Sequence, residues 1–135
     1  MSESGQVTVE AMLERVAELG VDPGPAFWSA YFAASPEAGA RMEHMDEHMR
    51  GRMLASVFDL LMIEDQAERR ALLAFEIGNH DAYGASLPMY EALFQALHAA
   101  LRSACGPAWS AQWDRAWGQR ANEILVLVAA FTRRT

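Results

Sequence analysis

Residues 65–90 read DQAERRALLAFEIGNHDAYGASLPMY, and the fold class turns on this stretch. Asp65 with Glu68 three residues later has the spacing of a capping box at a helix start. The helix it opens carries Leu73, Ile77 and His80 at i, i+4 and i+7, so all three share one face. The ordinary reading of a histidine on such a stripe is a buried imidazole with a satisfied hydrogen bond; the sequence around it decides whether more is at stake. Gly84 and Ser86-Leu87-Pro88 break and restart the chain. Tyr90, Leu93, Phe94, Leu97 and Leu101 then line a further helix, with Cys105 as a small buried hydrophobe near its end and Gly106-Pro107 stopping it.

Helical period continues on both sides. Val9, Met12, Leu13, Val16 and Leu19 form an apolar stripe that Gly20 ends. Asp22-Pro23-Gly24-Pro25 reads as a turn, and a second helix follows with Phe27, Trp28, Tyr31 and Phe32. Ser35-Pro36-Glu37 starts a short helix that ends near Met42. Residues 46–63 form the next, with Met49, Met53, Val57, Leu60 and Leu61 on one face. The last helix carries Trp113, Trp117, Ile124, Val128 and Phe131. No segment sustains period-two alternation, so the expectation is an all-α chain without a sheet.

The composition fits one soluble domain spanning residues 1–135, with residues 1–6 a disordered start. Hydrophobic residues make up 52% of the chain, above the globular norm of about 45–50%. Eight methionines suit a plastic core or the lining of a large flat ligand. A net charge of −7 argues against nucleic acid or an anionic membrane as partner, because both need clustered positive charge. The single cysteine permits no internal disulfide, and the N-terminus has no basic start or apolar core of a signal peptide. The longest apolar run, residues 124–131, is far short of the ~20 residues that span a bilayer. A cytoplasmic protein is expected.

His80 stands in a recognisable order of residues. Asn79-His80, then Ala82-Tyr83-Gly84, then Pro88-Met89-Tyr90 ahead of a long amphipathic helix, resembles the proximal region of bacterial single-domain globins and of the globin part of flavohaemoglobins. Phe27-Trp28, Tyr31-Phe32 and Ser35-Pro36-Glu37 look like the segment on the distal side of the haem, and Trp117 matches a tryptophan of the last globin helix. The resemblance covers residues 27–128 and implies a globin-like fold of about six to eight helices around one b-type haem.

The resemblance implies His80 as the proximal iron ligand, the usual role of neutral imidazole in globins. Tyr90, ten residues on, falls where these globins place a proximal tyrosine, while the place of their last-helix glutamate lies in Phe131-Thr132-Arg133 and holds no carboxylate. Backbone carbonyls near Ile77 or Glu76 are alternative partners for the second ring nitrogen. On the distal side, setting Met53 and Val57 inward puts Met49 over the iron, with Arg52 reaching a haem propionate. Sliding by one residue puts His48 there as a distal ligand. Trp28 stands where flavohaemoglobin-like globins have a ligand-binding tyrosine, Met42 where globins have a haem-packing phenylalanine, and Phe32 joins the same wall.

The implied function is reversible binding of a diatomic gas (oxygen, carbon monoxide or nitric oxide) by a carrier, scavenger or sensor rather than an enzyme. Two other classes stay open. One is a haem enzyme with peroxidase-like or nitric oxide dioxygenase-like turnover; with no reductase domain expected within the chain, it would draw electrons from an external reductase. The other is a haem-free globin-shaped interaction or sensory module. The apolar, Trp-rich last helix is compatible with a homodimer. His44-Met45-Asp46-Glu47-His48 matches the inverted zinc-protease pattern H-x-x-E-H, but it is short and reads as a solvated helix start. His98 reads as a partly exposed surface residue without a role.

Overall fold

The computed structural model describes the backbone of residues 8–81 and 86–132, and the side chains of residues 8–77 and 86–131. Seven α-helices follow one another: α1 (Val9–Glu18), α2 (Gly24–Ala34), α3 (Pro36–Arg41), α4 (Glu47–Met62), α5 (Gln66–Asp81), α6 (Leu87–Cys105) and α7 (Ala111–Thr132), with a 3₁₀ turn, Gly106–Ala108, between the last two. Among the described residues there is no strand, as the missing period-two pattern implies.

Short polar side chains set the starts. Thr8 Oγ1 accepts from the Ala11 N–H at 3.1 Å, Ser35 Oγ from Ala38 at 3.2 Å, Asp46 Oδ1 from Met49 at 2.8 Å and Asp65 Oδ2 from Glu68 at 2.8 Å. Each satisfies an amide that has no partner inside its own helix. Gly20 and Gly106 follow α1 and α6 with φ of +72° and +55°, backbone that a side chain would strain. One boundary differs from expectation. The last two residues of Asp22-Pro23-Gly24-Pro25 already belong to α2, because a proline in the first helical turn gives up only an N–H that would be orphaned anyway.

The helices pack in a closed pattern: α1 on α4 and α7, α2 on α3 and α6, α5 on α7, α6 on α7, and α4 on α5. Phe27 and Tyr31 of α2, Leu61 of α4, Leu73 and Ile77 of α5, Leu97 and Leu101 of α6, and Ile124 and Val128 of α7 are buried together. Full burial of such a side chain stabilises by roughly 1.5–3 kcal/mol, so this one cluster outweighs any surface contact. Cys105 is buried too, and burial raises its thiol pKa. Leu19 caps α1 and is 36% exposed, so the buried stripe ends at Val16, three residues earlier than its period indicates. No described helix is long and apolar enough to cross a membrane. Residues 1–6, expected to be disordered, lie outside the described residues.

Candidate functional site

α2 supplies an aromatic wall. The Trp28 ring lies 4.7 Å from Phe27 in an edge-on arrangement and 5.5 Å from Phe32, while Tyr31 stacks on Phe27 at 5.6 Å and on Phe32 at 5.8 Å. Consecutive positions of a helix point in different directions, so this cluster wraps around α2. Phe27 and Tyr31 reach the core, and Trp28 and Phe32 stay half-buried. Burial pushes the Tyr31 hydroxyl up to about 12, and the nearby Tyr90 phenol adds to the effect.

The first turn of α4 lies against this wall. The Arg50 guanidinium carbon is 5.1 Å from the Phe32 ring centre and 5.9 Å from that of Trp28. Its Nε is buried without a hydrogen-bond partner among the described residues. Met53 and Val57 follow on α4, half-buried against the core, and Leu60 and Leu61 are fully buried. Met49 is 42% exposed, and Arg52 and His48 are exposed as well. On α4 Arg50 meets Trp28 and Phe32, while Met49 and Arg52 are exposed. The reason is rotational: a residue step turns the helix by about 100°, and the series Arg50, Met53, Val57, Leu61 is as regular as the one through Met49. The apolar pattern favoured methionine over arginine on the inner face, whereas a guanidinium can also lie flat on aromatic faces.

Ile77 is buried on α5, and His80 lies in the last turn of that helix, three residues on. The His80 side chain, and all of Ala82-Tyr83-Gly84, lie outside the described residues, as does the side chain of Thr132 with all of Arg133. Met42 ends α3, half-buried against the core. Tyr90, in the first turn of α6, is also half-buried and packs on the core beside Tyr31. Trp28, Phe32 and Arg50 are thus brought together, with Met42, Met53, Tyr90 and Ile77 on the same core; His48, Met49 and Arg52 are left at the surface.

A second cluster went unread in the sequence. His98 on α6 is about one-third exposed, in line with the partly exposed residue expected, but it has a partner: its Nε2 lies 2.7 Å from Asp114 Oδ1 on α7. Trp109 Nε1 donates to the same oxygen at 2.9 Å. The His98 ring is nearly parallel to Trp117 at 6.2 Å and tilted against Trp109 at 5.8 Å. Hydrogen bonds from Trp109 and then His98 hold the Asp114 carboxyl below its ordinary pKa. Nothing in the local sequence pairs a histidine with an aspartate 16 residues on, because the two stand on different helices. His44 and His48 are exposed, and among the described residues no three His, Cys, Asp or Glu side chains are grouped to hold a metal.

Comparison with known proteins adds no relative: no protein-family model matches the chain, and no curated protein or solved structure is significantly similar to it.

Proposed function

We propose that the protein is a haem-binding globin that binds a diatomic gas reversibly, with His80 as the proximal iron ligand. One observation carries the reading. Among the described residues α4 packs closely on α1 and α5 on α7, and neither packs closely on α6. Trp28, Phe32, Met42 and Met53 are correspondingly half-buried, each resting on the core with part of its apolar surface uncovered. Phe27 and Leu61 are fully buried beside them, while Phe58, Met62, Trp113 and Phe131 are half-buried as well. An apolar wall of this kind fits the faces of a porphyrin, and the lone histidine that ends the Leu73–Ile77 stripe supplies a donor of the right chemistry for its iron.

Bound haem would supply an open iron position for the gas. The chain's own part is to exclude water through Trp28, Phe32, Met42 and Met53, which keeps the site apolar and favours a neutral ligand. Ile77, three residues before His80, is buried in the core. Tyr90 stands on the same core. The apolar side chains of the wall favour a small neutral molecule as the ligand, with a homodimer or an external reductase as added partners.

A second reading has one observation in its favour. Arg50 already covers the faces of Trp28 and Phe32, so side chains of the chain itself fill part of the wall. On this reading the pocket is closed without haem and the function lies on the surface.

An absorption spectrum separates the two. The purified protein, as isolated and after haem reconstitution, is reduced and exposed to carbon monoxide beside His80→Gly. A Soret band that shifts with carbon monoxide, and that is lost in the variant until imidazole is added, is the expected result. No Soret band after reconstitution would overturn the haem reading and leave the haem-free module.

A further inference from the structure

We propose that the segment joining α3 to α4 holds a soft monovalent cation, cuprous copper, on the thioethers of Met45 and Met49 and the imidazoles of His44 and His48. Residues 42–49 read MEHMDEHM, so three of the chain's eight methionines and two of its four histidines stand in eight positions. Met12 and Met89 are buried one at a time, as core-filling methionines are. In this segment Met49 is 42% exposed, Met45 is half-buried, and both histidines are exposed without a hydrogen bond to a described residue. A single exposed methionine is ordinary. The concentration of thioether and imidazole groups in one turn is not a product of core packing.

The backbone folds these groups back on one another. The Met45 N–H donates to the Met42 carbonyl at 2.9 Å, which closes a turn with its end Cα atoms within about 7 Å. Asp46 Oδ1 then accepts from the Met49 N–H at 2.8 Å and starts α4 at once. Met45 therefore directly precedes the N-cap, and His48 and Met49 lie in the first turn of the helix. Thioether sulfur is neutral and polarizable and selects Cu(I), and imidazole suits copper as well. A zinc site takes its ligands from imidazole, thiolate and carboxylate, and no group of three such side chains is present among the described residues. His44 lies in the turn before α4, so the two histidines do not share a helix face as a chelating pair. The positive end of the α4 dipole opposes a cation here, and the exposed Glu43 and Glu47 offset it. The metal binds without a change of oxidation state, and the site does not rest on the haem reading.

Silver(I), which shares the charge and softness of Cu(I) and undergoes no redox step, is titrated into the purified protein carrying labelled methionine methyl groups. The expected NMR result is saturable shifts of the Met45 and Met49 methyls and of the His44 and His48 ring protons, with Met12 and Met89 unmoved. Cu(I) affinity is then measured anaerobically against a chromophoric chelator for the wild type, Met45→Leu/Met49→Leu, His44→Gln/His48→Gln and Cys105→Ser, with melting curves to confirm folding. Leucine keeps the volume of methionine, so a loss of roughly tenfold or more in the first double variant reports the sulfurs and not the packing. The histidine double variant should lose affinity as well, and Cys105→Ser should not. Unmoved Met45 and Met49 methyls, equal affinity in Met45→Leu/Met49→Leu, or an affinity that disappears with Cys105 overturns the site. If Cys105→Ser does not fold, the methyl shifts of the wild type decide.

Discussion

Arg69 Nη2 donates to Glu123 Oε1 at 3.0 Å, joining α5 to α7 across 54 positions of sequence. Arg69 is 3% exposed, and its Nη1 donates to the Ile63 carbonyl at 2.6 Å. Arg120, one turn before Glu123, donates to the carbonyls of Leu61 and Ile63 and to Glu64 Oε1. The last carbonyls of an α-helix have no partner within it. Here two arginines from other helices reach the carbonyls of Leu61, in the last turn of α4, and of Ile63, its cap, so the end of α4 is fastened to α5 and α7 together.

Glu123→Ala removes the carboxylate and leaves the buried Arg69 charge uncompensated. Glu123 is 40% exposed at its side chain, so water screens part of the loss. The expected destabilisation is about 2 kcal/mol, below that of a fully buried pair. A chain of this length should then melt about 4–8 °C lower. Glu18→Ala, which breaks the exposed Arg15–Glu18 pair, should shift stability by less than about 0.5 kcal/mol. Paired melting curves check both; equal shifts would show that the α4 fastening contributes nothing special.

Asp114 sets an acid limit. Its carboxyl pKa is lowered by the Trp109 hydrogen bond first and the His98 bond second. A group whose folded pKa is depressed contributes stability above the ordinary carboxylate range and loses it as pH falls through the folded value. Asp114→Asn should therefore cost stability at pH 7, and the gap to the wild type should close as the pH drops toward 3. Thermal melts at stepped pH test this; a gap that stays constant would remove Asp114 from the acid response.

Tyr31 sets the opposite limit. Its hydroxyl is pushed up to about 12 by burial and by Tyr90, from an ordinary value of 10.0. The folded state holds this proton more tightly than the unfolded one, so the associated stability is complete below pH 10 and lost between 10 and about 12. A spectroscopic phenol titration of the folded protein should show one tyrosine ionising late. Tyr31→Phe should remove that late step and make stability fall less steeply over the same interval.

Core and surface should separate cleanly. Leu97→Ala empties a fully buried position on α6 and should cost about 2–5 kcal/mol. Phe75→Ser changes a residue that is 64% exposed on α5 and should stay within about 0.5 kcal/mol. Denaturant titration of the two variants measures both values. A large loss at Phe75 would mean that its ring is covered in solution, for instance by a second copy of the chain.

Much of the backbone is readable from single residues. Ser35, Asp46 and Asp65 mark helix starts because a short oxygen-bearing side chain can reach the amide three residues on, a purely local geometry. Gly20 and Gly106 mark helix ends for an equally local reason. The stripes through Leu73 and Ile77, and through Leu93, Leu97 and Leu101, name core residues because the helical period returns side chains to one side whatever lies opposite.

The wall at Trp28 and Phe32 is only half legible. Its aromatic residues stand out in the sequence, but the side chain that covers them does not. Met49 and Arg50 are neighbours with equally regular spacings, and only the packing of α4 against its surroundings chooses the rotation that brings Arg50 onto the rings.

The sequence by itself determined that the chain is helical, where most helices begin and end, and which apolar residues form the core, because capping, turn chemistry and periodicity act over a few residues. Only the tertiary structure decided that Arg69 and Arg120 close the end of α4, that His98 and Trp109 share one oxygen of Asp114, and that Arg50 rather than Arg52 lies on the aromatic wall. Those contacts join different helices. Their formation depends on how the helices cross and rotate against one another, which the packing of the whole core sets and no local spacing encodes.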